Sequence, residues 1–332
     1  MSPLTTTKGP EHARILSVGA YRPARVVTND EICERIDSTD EWIRERTGII
    51  SRRFAAPDES VVDMAVAAAG KAIAQAGITA DQVGAVLLAT VTHPLQTPSA
   101  AVDVAYRLGA TNAGAFDISA ACAGFCYGVA TANDMVRGGS AEYVVVIGVE
   151  KLSDFTDSYD RSIAFIFGDG AGAVVIGPSD EPAIAPTVWG SDGSQYDAIT
   201  QRASWIDVRD HDIDFPHLTM QGQKVFRWAV WQMAPVAAKA LAVAGVAPED
   251  LGAFIPHQAN MRIIDAMIKK LQLPAHVPVA RDIAETGNTS AASIPLAMER
   301  MLESGEAKSG DTALLIGFGA GLTYAAQVVI LP

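Results

Sequence analysis

Cys122 is the residue in this chain best placed to act as a nucleophile. It lies within Phe116-Asp-Ile-Ser-Ala-Ala-Cys-Ala-Gly-Phe-Cys-Tyr-Gly128. The apolar run Ala115–Ile118 predicts a short buried strand, and Phe125, Val129, Ala132 and Val136 recur at helical spacing until Gly138-Gly139 stops them. The cysteine therefore falls in a small-residue turn between strand and helix. Free backbone N–H groups and the positive end of the helix dipole point at such a turn, and both favour a thiolate. The thiolate, not the thiol, is the nucleophile. The plain alternative is a small buried core residue. Two further turns carry polar groups. His257 closes a predicted strand in Phe254-Ile-Pro-His-Gln-Ala-Asn260, before a helix over Met261–Leu271. Asn288 opens Gly287-Asn-Thr-Ser-Ala-Ala-Ser293, ahead of another helix. Each has a structural alternative, a packed histidine and a helix cap.

The elements that would carry these turns alternate. Arg14–Val18, Ala85–Thr90 and Tyr143–Val149 read as strands, and Ile163–Phe167 runs on through Gly168-Asp-Gly-Ala-Gly172 into the apolar stretch Ala173–Ile176. Helices are expected over Asp30–Ile36, capped by Asn29, and over Val61–Gln75 and Ala100–Leu108. Strands without clean polar alternation, separated by helices, predict an α/β protein whose sheet is covered on both faces. Residues 1–12 read as a loose polar arm and 177–219 as a loop-rich connection. A repeat is visible: Ala76-Gly-Ile-Thr-Ala-Asp-Gln-Val-Gly-Ala85 matches Ala244-Gly-Val-Ala-Pro-Glu-Asp-Leu-Gly-Ala253, and Gly168–Gly172 matches Gly317-Phe-Gly-Ala-Gly321. The first match carries Cys122 onto Ser290.

Composition narrows the function. The 332 residues are 49% hydrophobic, enough for a large core or two fused ones. A net charge of −13 argues against non-specific nucleic-acid binding, and any acidic partner must dock on a local basic patch. Three cysteines make no disulfide framework and fit a reducing cytoplasm. No signal peptide and no membrane span is expected. Gly168-Asp-Gly-Ala-Gly172 lacks dinucleotide-loop spacing and runs into a strand. Asp207, Asp210, Asp212 and Asp214 lack the glycine and terminal glutamate of a calcium loop, and Cys122 with Cys126 makes a poor metal site.

Ala121-Cys-Ala-Gly-Phe125, Pro256-His-Gln-Ala-Asn260, Gly287-Asn-Thr-Ser-Ala-Ala-Ser293 and Gly317-Phe-Gly-Ala-Gly-Leu-Thr-Tyr324 together resemble β-ketoacyl-[acyl-carrier-protein] synthase III, in its actinobacterial branch. The resemblance runs in order from about residue 14 to the C-terminus. It implies an α/β thiolase-like fold of two pseudo-symmetric halves, each with a five-stranded sheet, forming a layered α-β-α-β-α core. Residues 1–180 would carry the nucleophile and 181–332 the histidine and asparagine, in a homodimer. The implied catalytic residues are Cys122, His257 and Asn288, with backbone N–H groups of Cys122 and Ala320 as an oxyanion hole. Trp42, Arg46 and Arg161 would bind coenzyme A. Phe318 and Thr97 of a partner subunit would bound the acyl pocket. Arg227, Arg262, Lys269 and Lys270 would dock the carrier protein. Gln223 departs from the asparagine that some members place near the pantetheine.

The implied reaction condenses an acyl-CoA primer, acetyl or branched, with malonyl-carrier protein, giving 3-oxoacyl-carrier protein, CO2 and CoA without a metal or redox cofactor. It would initiate type II fatty acid synthesis. Priming of an aromatic polyketide pathway is the alternative within the same chemistry, and a non-catalytic carrier-binding homologue the alternative outside it. Plant-type polyketide synthases share the Cys-His-Asn set but carry Gly-Phe-Gly-Pro-Gly where this chain has Gly-Phe-Gly-Ala-Gly.

Overall fold

The computed structural model describes residues 4–332, so residues 1–3 of the expected arm lie outside the described part. The rest of the arm is tethered rather than loose: Thr7 Oγ1 donates to Gly138 O at 3.1 Å, and Arg137 Nε donates to Glu11 O at 2.9 Å.

The first half runs β1 (His12–Tyr21), β2 (Arg25–Thr28), α1 (Asn29–Cys33), α2 (Asp40–Thr47), β3 (Ser51–Phe54), α3 (Val61–Ala76), β4 (Val83–Ala89), α4 (Ala100–Leu108), β5 (Gly114–Ile118), α5 (Gly124–Gly138), β6 (Tyr143–Glu150) and β7 (Gly170–Ser179). Helix α3 shows why its bounds were readable: Ser60 and Asp63 form a capping box, and Gly77 ends the helix at φ 69°. Helix α1 differs from expectation. Thr28 is its cap, while the Asn29 amide is drawn inward to donate to Asp40 Oδ1 and Ile49 O, both at 2.8 Å. Residues 163–166 form turns, Phe167 makes a single parallel bridge to Asn288, and the strand begins only at Gly170.

The second half holds β8 (Val188–Ser191), β9 (Ile199–Gln201), α6 (Trp205–Asp210), β10 (Leu218–Met220), α7 (Gly222–Ala244), β11 (Ala253–Pro256), α8 (Met261–Leu271), α9 (Ile283–Thr286), α10 (Ser293–Ser304), β12 (Thr312–Gly319) and β13 (Thr323–Ile330). The region read as loop thus contains a short helix and a β9–β10 hairpin.

The two large sheets repeat one topology. The first has the order β1-β7-β6-β4-β5, with β4 parallel to β5 and β6. The second has the order β8-β13-β12-β11, with β11 parallel to β12. Its fifth position is a single bridge between Phe254 and Val279, so the expected five strands are four. Pro278 precedes Val279 and has no N–H to extend a ladder.

Helices α5 and α10 lie between the sheets. Phe125, Val129 and Ala132 of α5 share one core with Ile294, Ala297 and Met298 of α10 and with strands of both sheets. Helices α3 and α4 cover the outer face of the first sheet, and α7 and α8 that of the second. This is the layered α-β-α-β-α arrangement.

Strand pairing also corrects the repeat. Ala85 pairs with Val144 as Ala253 pairs with Ala313, which makes Gly148 near the end of β6 the counterpart of Gly317. Gly168–Gly172 instead leads into β7 and is not equivalent to Gly317–Gly321. The 3-10 turns Ala121–Ala123 and Ser290–Ala292 precede α5 and α10, and Ala121 and Ser290 share positive φ values of 45° and 48°. The counterpart of Cys122 is therefore Ala291, one residue beyond the expected Ser290. Recurring glycines mark where chain can bend, whereas the hydrogen-bond ladder decides register.

Candidate active site

Cys122 is buried in the turn between β5 and α5, at 9% exposure. The C-terminal end of β12 presses on it. A Cβ on Gly319 would lie 2.8 Å from Cys122 Sγ, and one on Gly317 would lie 2.9 Å from Cys122 O. Only glycine lets that backbone approach the sulfur so closely. Burial pushes the Cys122 thiol up to about 12; the Ser290 hydroxyl opposes the shift and the Glu150 charge adds to it. The expectation of a resting thiolate is overturned, because loss of water outweighs the free N–H groups of the turn. The resting group is a thiol.

His257 follows β11, and its N–H donates to Ile316 O at 2.8 Å. Its side chain is buried, packs edge-on against Phe318 with centroids 5.3 Å apart, and places Nδ1 2.7 Å from Ser293 Oγ. Burial drives its pKa down to about 3, so the ring is neutral at physiological pH. Asn288 is held at both ends of its backbone turn: its N–H donates to Ile166 O at 2.9 Å, and its Oδ1 accepts the Ser290 N–H at 2.8 Å. Among the described residues its Nδ2 has no partner, which leaves two N–H donors for a bound group.

Cys122, His257, Asn288, Phe318 and Ala320 line one cavity of about 1240 Å³. Trp42, Arg46 and Arg161 border the same cavity. The guanidinium groups of Arg46 and Arg161 lie over the Trp42 ring, 5.7 and 5.6 Å from its centroid. Two cations on an indole at a cavity edge suit an aromatic base bearing phosphates. Arg227 and Arg262 also border the cavity, with Arg262 over Phe226 at 5.1 Å. Lys269 and Lys270 lie off the wall on the exposed face of α8, and Lys270 Nζ bridges to α7, donating to Val230 O at 2.7 Å above Trp231. Thr97 is exposed and absent from the wall, although Gln96 and Ser99 beside it line the cavity.

Four residues of the site were not legible beforehand. Glu150, at the end of β6, is fully buried. It accepts from Thr92 Oγ1 at 2.7 Å, from Thr90 Oγ1 and Val91 N at 3.1 Å, and from Ser290 Oγ at 3.0 Å. Burial raises its pKa to about 7. A lone glutamate closing an apolar strand was its only signal. Leu218 and Met220 reach the wall from the β9–β10 hairpin, where a three-residue strand is too short to show a period. Ser293 was visible only as part of a motif.

Comparison with known proteins fits this geometry. Residues 116–193 match the family model for 3-oxoacyl-[acyl-carrier-protein (ACP)] synthase III, and residues 241–331 match the model for its C-terminal part. The chain is 62% identical to the β-ketoacyl-[acyl-carrier-protein] synthase III of Streptomyces glaucescens, covering 100% of both chains. It belongs to the β-ketoacyl-[acyl-carrier-protein] synthase III family. The synthase III of Mycobacteroides abscessus is 55% identical, with 100% of this chain and 98% of that one covered. Among solved structures, the priming β-ketosynthase of the R1128 polyketide pathway aligns with a TM-score of 0.97 at 49% identity, covering 99% of each chain. The synthase III of Aquifex aeolicus aligns at 0.89 and 39% identity, covering 96% of this chain and 99% of that one. As a synthase III the protein is an acyltransferase with the thiolase fold, and it performs the condensation that initiates fatty acid synthesis.

Proposed function

We propose that Cys122 takes the acyl group from an acyl-CoA primer and that His257 and Asn288 stabilise the enolate formed from malonyl-carrier protein. The observation that carries this is a nucleophile sharing a cavity with two neutral N–H donors, one of them an amide whose oxygen is already engaged. In the first half-reaction Cys122 sulfur bonds to the acyl carbon, and the carbon–sulfur bond to CoA breaks. The Cys122 proton leaves with the CoA thiol. In the second, the malonyl carbon–carboxylate bond breaks, CO2 departs, and its electron pair becomes an enolate. Neither donor gives up a proton; both stabilise charge. The enolate carbon then attacks acyl-Cys122, with backbone N–H groups of Cys122 and Ala320 holding the tetrahedral oxyanion; its collapse breaks the bond between the acyl carbon and the Cys122 sulfur, frees 3-oxoacyl-carrier protein and returns a Cys122 thiolate that takes a proton from water. Electron pairs move but nothing is oxidised or reduced, so the reaction calls for no redox cofactor, and in this reading N–H donors do the charge stabilisation that a metal could otherwise supply.

Trp42, Arg46 and Arg161 are proposed to hold the adenine and phosphates of CoA. Arg227, Arg262, Lys269 and Lys270 are proposed to receive an acidic carrier against the chain's own net charge of −13. Because Arg227 and Arg262 also border the CoA cavity, Lys269 isolates docking best. Lys269→Glu is expected to slow the malonyl-carrier step up to roughly tenfold at low salt and to flatten its salt dependence. Acyl transfer from CoA to Cys122 should hold. Equal loss in both steps, or in neither, would reject the docking assignment.

A second copy of the chain is the proposed source of the missing end of the acyl pocket. Strand β5 is a sheet edge with Phe116 43% exposed, beside α4 with Tyr106 74% exposed. Pairing of two such edges would bury both and bring Thr97 of the partner subunit to the cavity. Sedimentation at the mass of one chain would refute the dimer. A small residue there leaves room for branched primers, and a methylene discriminates by only about 1–3 kcal/mol. A competing mixture of acetyl-CoA and isobutyryl-CoA should load Cys122 with both, and Thr97→Phe should shift loading towards acetyl. Loading with acetyl alone, unchanged by Thr97→Phe, would overturn the primer reading.

Polyketide priming is the alternative within the same chemistry, raised by the likeness to a priming ketosynthase at a TM-score of 0.97 and 49% identity. Relative rates with fatty-acid and polyketide carrier proteins separate the two. We place the protein in the cytoplasm, in keeping with free Cys33, Cys122 and Cys126. Among the described residues no helix is long and apolar enough to cross a membrane.

A further inference from the structure

The hydrogen bond behind His257 has a direction, and that direction decides which ring nitrogen faces the cavity with a proton. Ser293, at the first position of α10, is 1% exposed. Its Oγ lies 2.7 Å from His257 Nδ1 and accepts the Gln258 N–H at 3.3 Å. Among the described residues Ser293 Oγ has no third partner. A hydroxyl has one proton and two lone pairs. Were Nδ1 protonated, both lone pairs would accept, and the hydroxyl proton would be buried without an acceptor. With Nδ1 bare, every proton is used: Gln258 N–H to Oγ, and Oγ–H to Nδ1. The ring proton then resides on Nε2.

Helix building does not explain this serine. Ser293 caps nothing, because α10 has no side-chain cap, and the matching first residue of α5 is Gly124. The pseudo-symmetric partner starts its helix with no hydroxyl at all. Phe318 packs edge-on to the ring and restricts its rotation, so the tautomer sets what the cavity meets.

We propose that Ser293 is a positioning residue that holds His257 in its Nε2–H tautomer, so that the ring presents a donor and not a lone pair to the enolate oxygen. The proposal rests on the reading of His257 as an enolate donor. When the malonyl unit loses CO2, the freed electron pair places negative charge on the thioester oxygen. Nε2–H stabilises that charge without losing its proton; the other tautomer would aim a lone pair at it. The imidazolium, which would donate from both nitrogens, is suppressed by burial.

The test pairs a spectrum with kinetics. Nitrogen NMR of the histidine-labelled, full-length protein reads which nitrogen carries the proton, with His257→Ala to assign the signal. Malonyl-carrier decarboxylation and Cys122 acylation are then measured in wild type, Ser293→Ala and Ser293→Thr. Expected are a protonated Nε2 in wild type and a fall in decarboxylation kcat of roughly 10–100-fold in Ser293→Ala, by analogy with loss of the outer hydrogen-bond partner of a metal-bound histidine. KM should stay unchanged, acylation should fall far less, and Ser293→Thr should recover most of the rate. A protonated Nδ1 in wild type, a Ser293→Ala enzyme with full kcat, or a folded Ser293→Thr enzyme as slow as alanine would each overturn the proposal. If Ser293→Ala does not fold, the wild-type spectrum and Ser293→Thr decide. If wild type fails to decarboxylate malonyl-carrier protein, the enolate reading falls, and the spectrum alone still judges the tautomer.

Discussion

Cys122→Ala is expected to take up no acyl group from acyl-CoA, with condensation reduced on the order of 10⁴-fold or more, as for other nucleophile deletions. Mass spectrometry of the peptide around Cys122 reads the result directly, since wild type gains the acyl mass there. Cys126 should remain unmodified in both proteins. It is fully buried one helical turn on, and burial likewise pushes its thiol up to about 12, with only the Gly317 backbone opposing. The raised Cys122 pKa has a further consequence. Its thiolate is a minor form throughout neutral pH, and that fraction grows tenfold for each pH unit until about 12. Alkylation of Cys122 by a small electrophile should therefore keep rising from pH 6 to 10 without a plateau. A plateau near pH 7 would overturn the raised pKa, and acylation surviving in the alanine variant would remove Cys122 from its assigned role.

Asn288→Asp should be the most damaging isosteric change in the second half-reaction. The Ser290 N–H can still reach one carboxylate oxygen, as it now reaches Asn288 Oδ1 at 2.8 Å. The other oxygen then occupies the place of the amide N–H groups, presenting negative charge where the enolate charge develops. Loss of one oxyanion donor costs about 10²–10³ in kcat, and the carboxylate should cost at least that. Asn288→Ala removes the donor without adding charge and should be the milder of the two. Both are checked by release of CO2 from malonyl-carrier protein, with acylation of Cys122 as the comparison. Wild-type decarboxylation in Asn288→Asp would show that Asn288 is a structural cap alone.

The amino-acid sequence by itself determined the local elements and the identity of the reactive groups. Caps and stops such as Ser60, Gly77 and Gly139 act within one turn of chain, so α3 and α5 could be bounded from residue types alone. Cys122, His257 and Asn288 were each legible because each stands at a strand-to-helix or loop-to-helix turn. Tertiary structure decided everything that depends on what surrounds those turns. It buried Cys122 against Gly319 and beside Glu150, turning an expected thiolate into a thiol. It drew Asn29 from a cap into a buried contact, and it moved the counterpart of Cys122 from Ser290 to Ala291, because matching positive-φ residues open the turns before α5 and α10. It also brought Ser293 behind His257 across 36 residues of chain. Propensity and capping are local energies written in neighbouring residues, whereas desolvation, register and the direction of a buried hydrogen bond are set by groups distant in sequence, which meet only once the two halves close on each other.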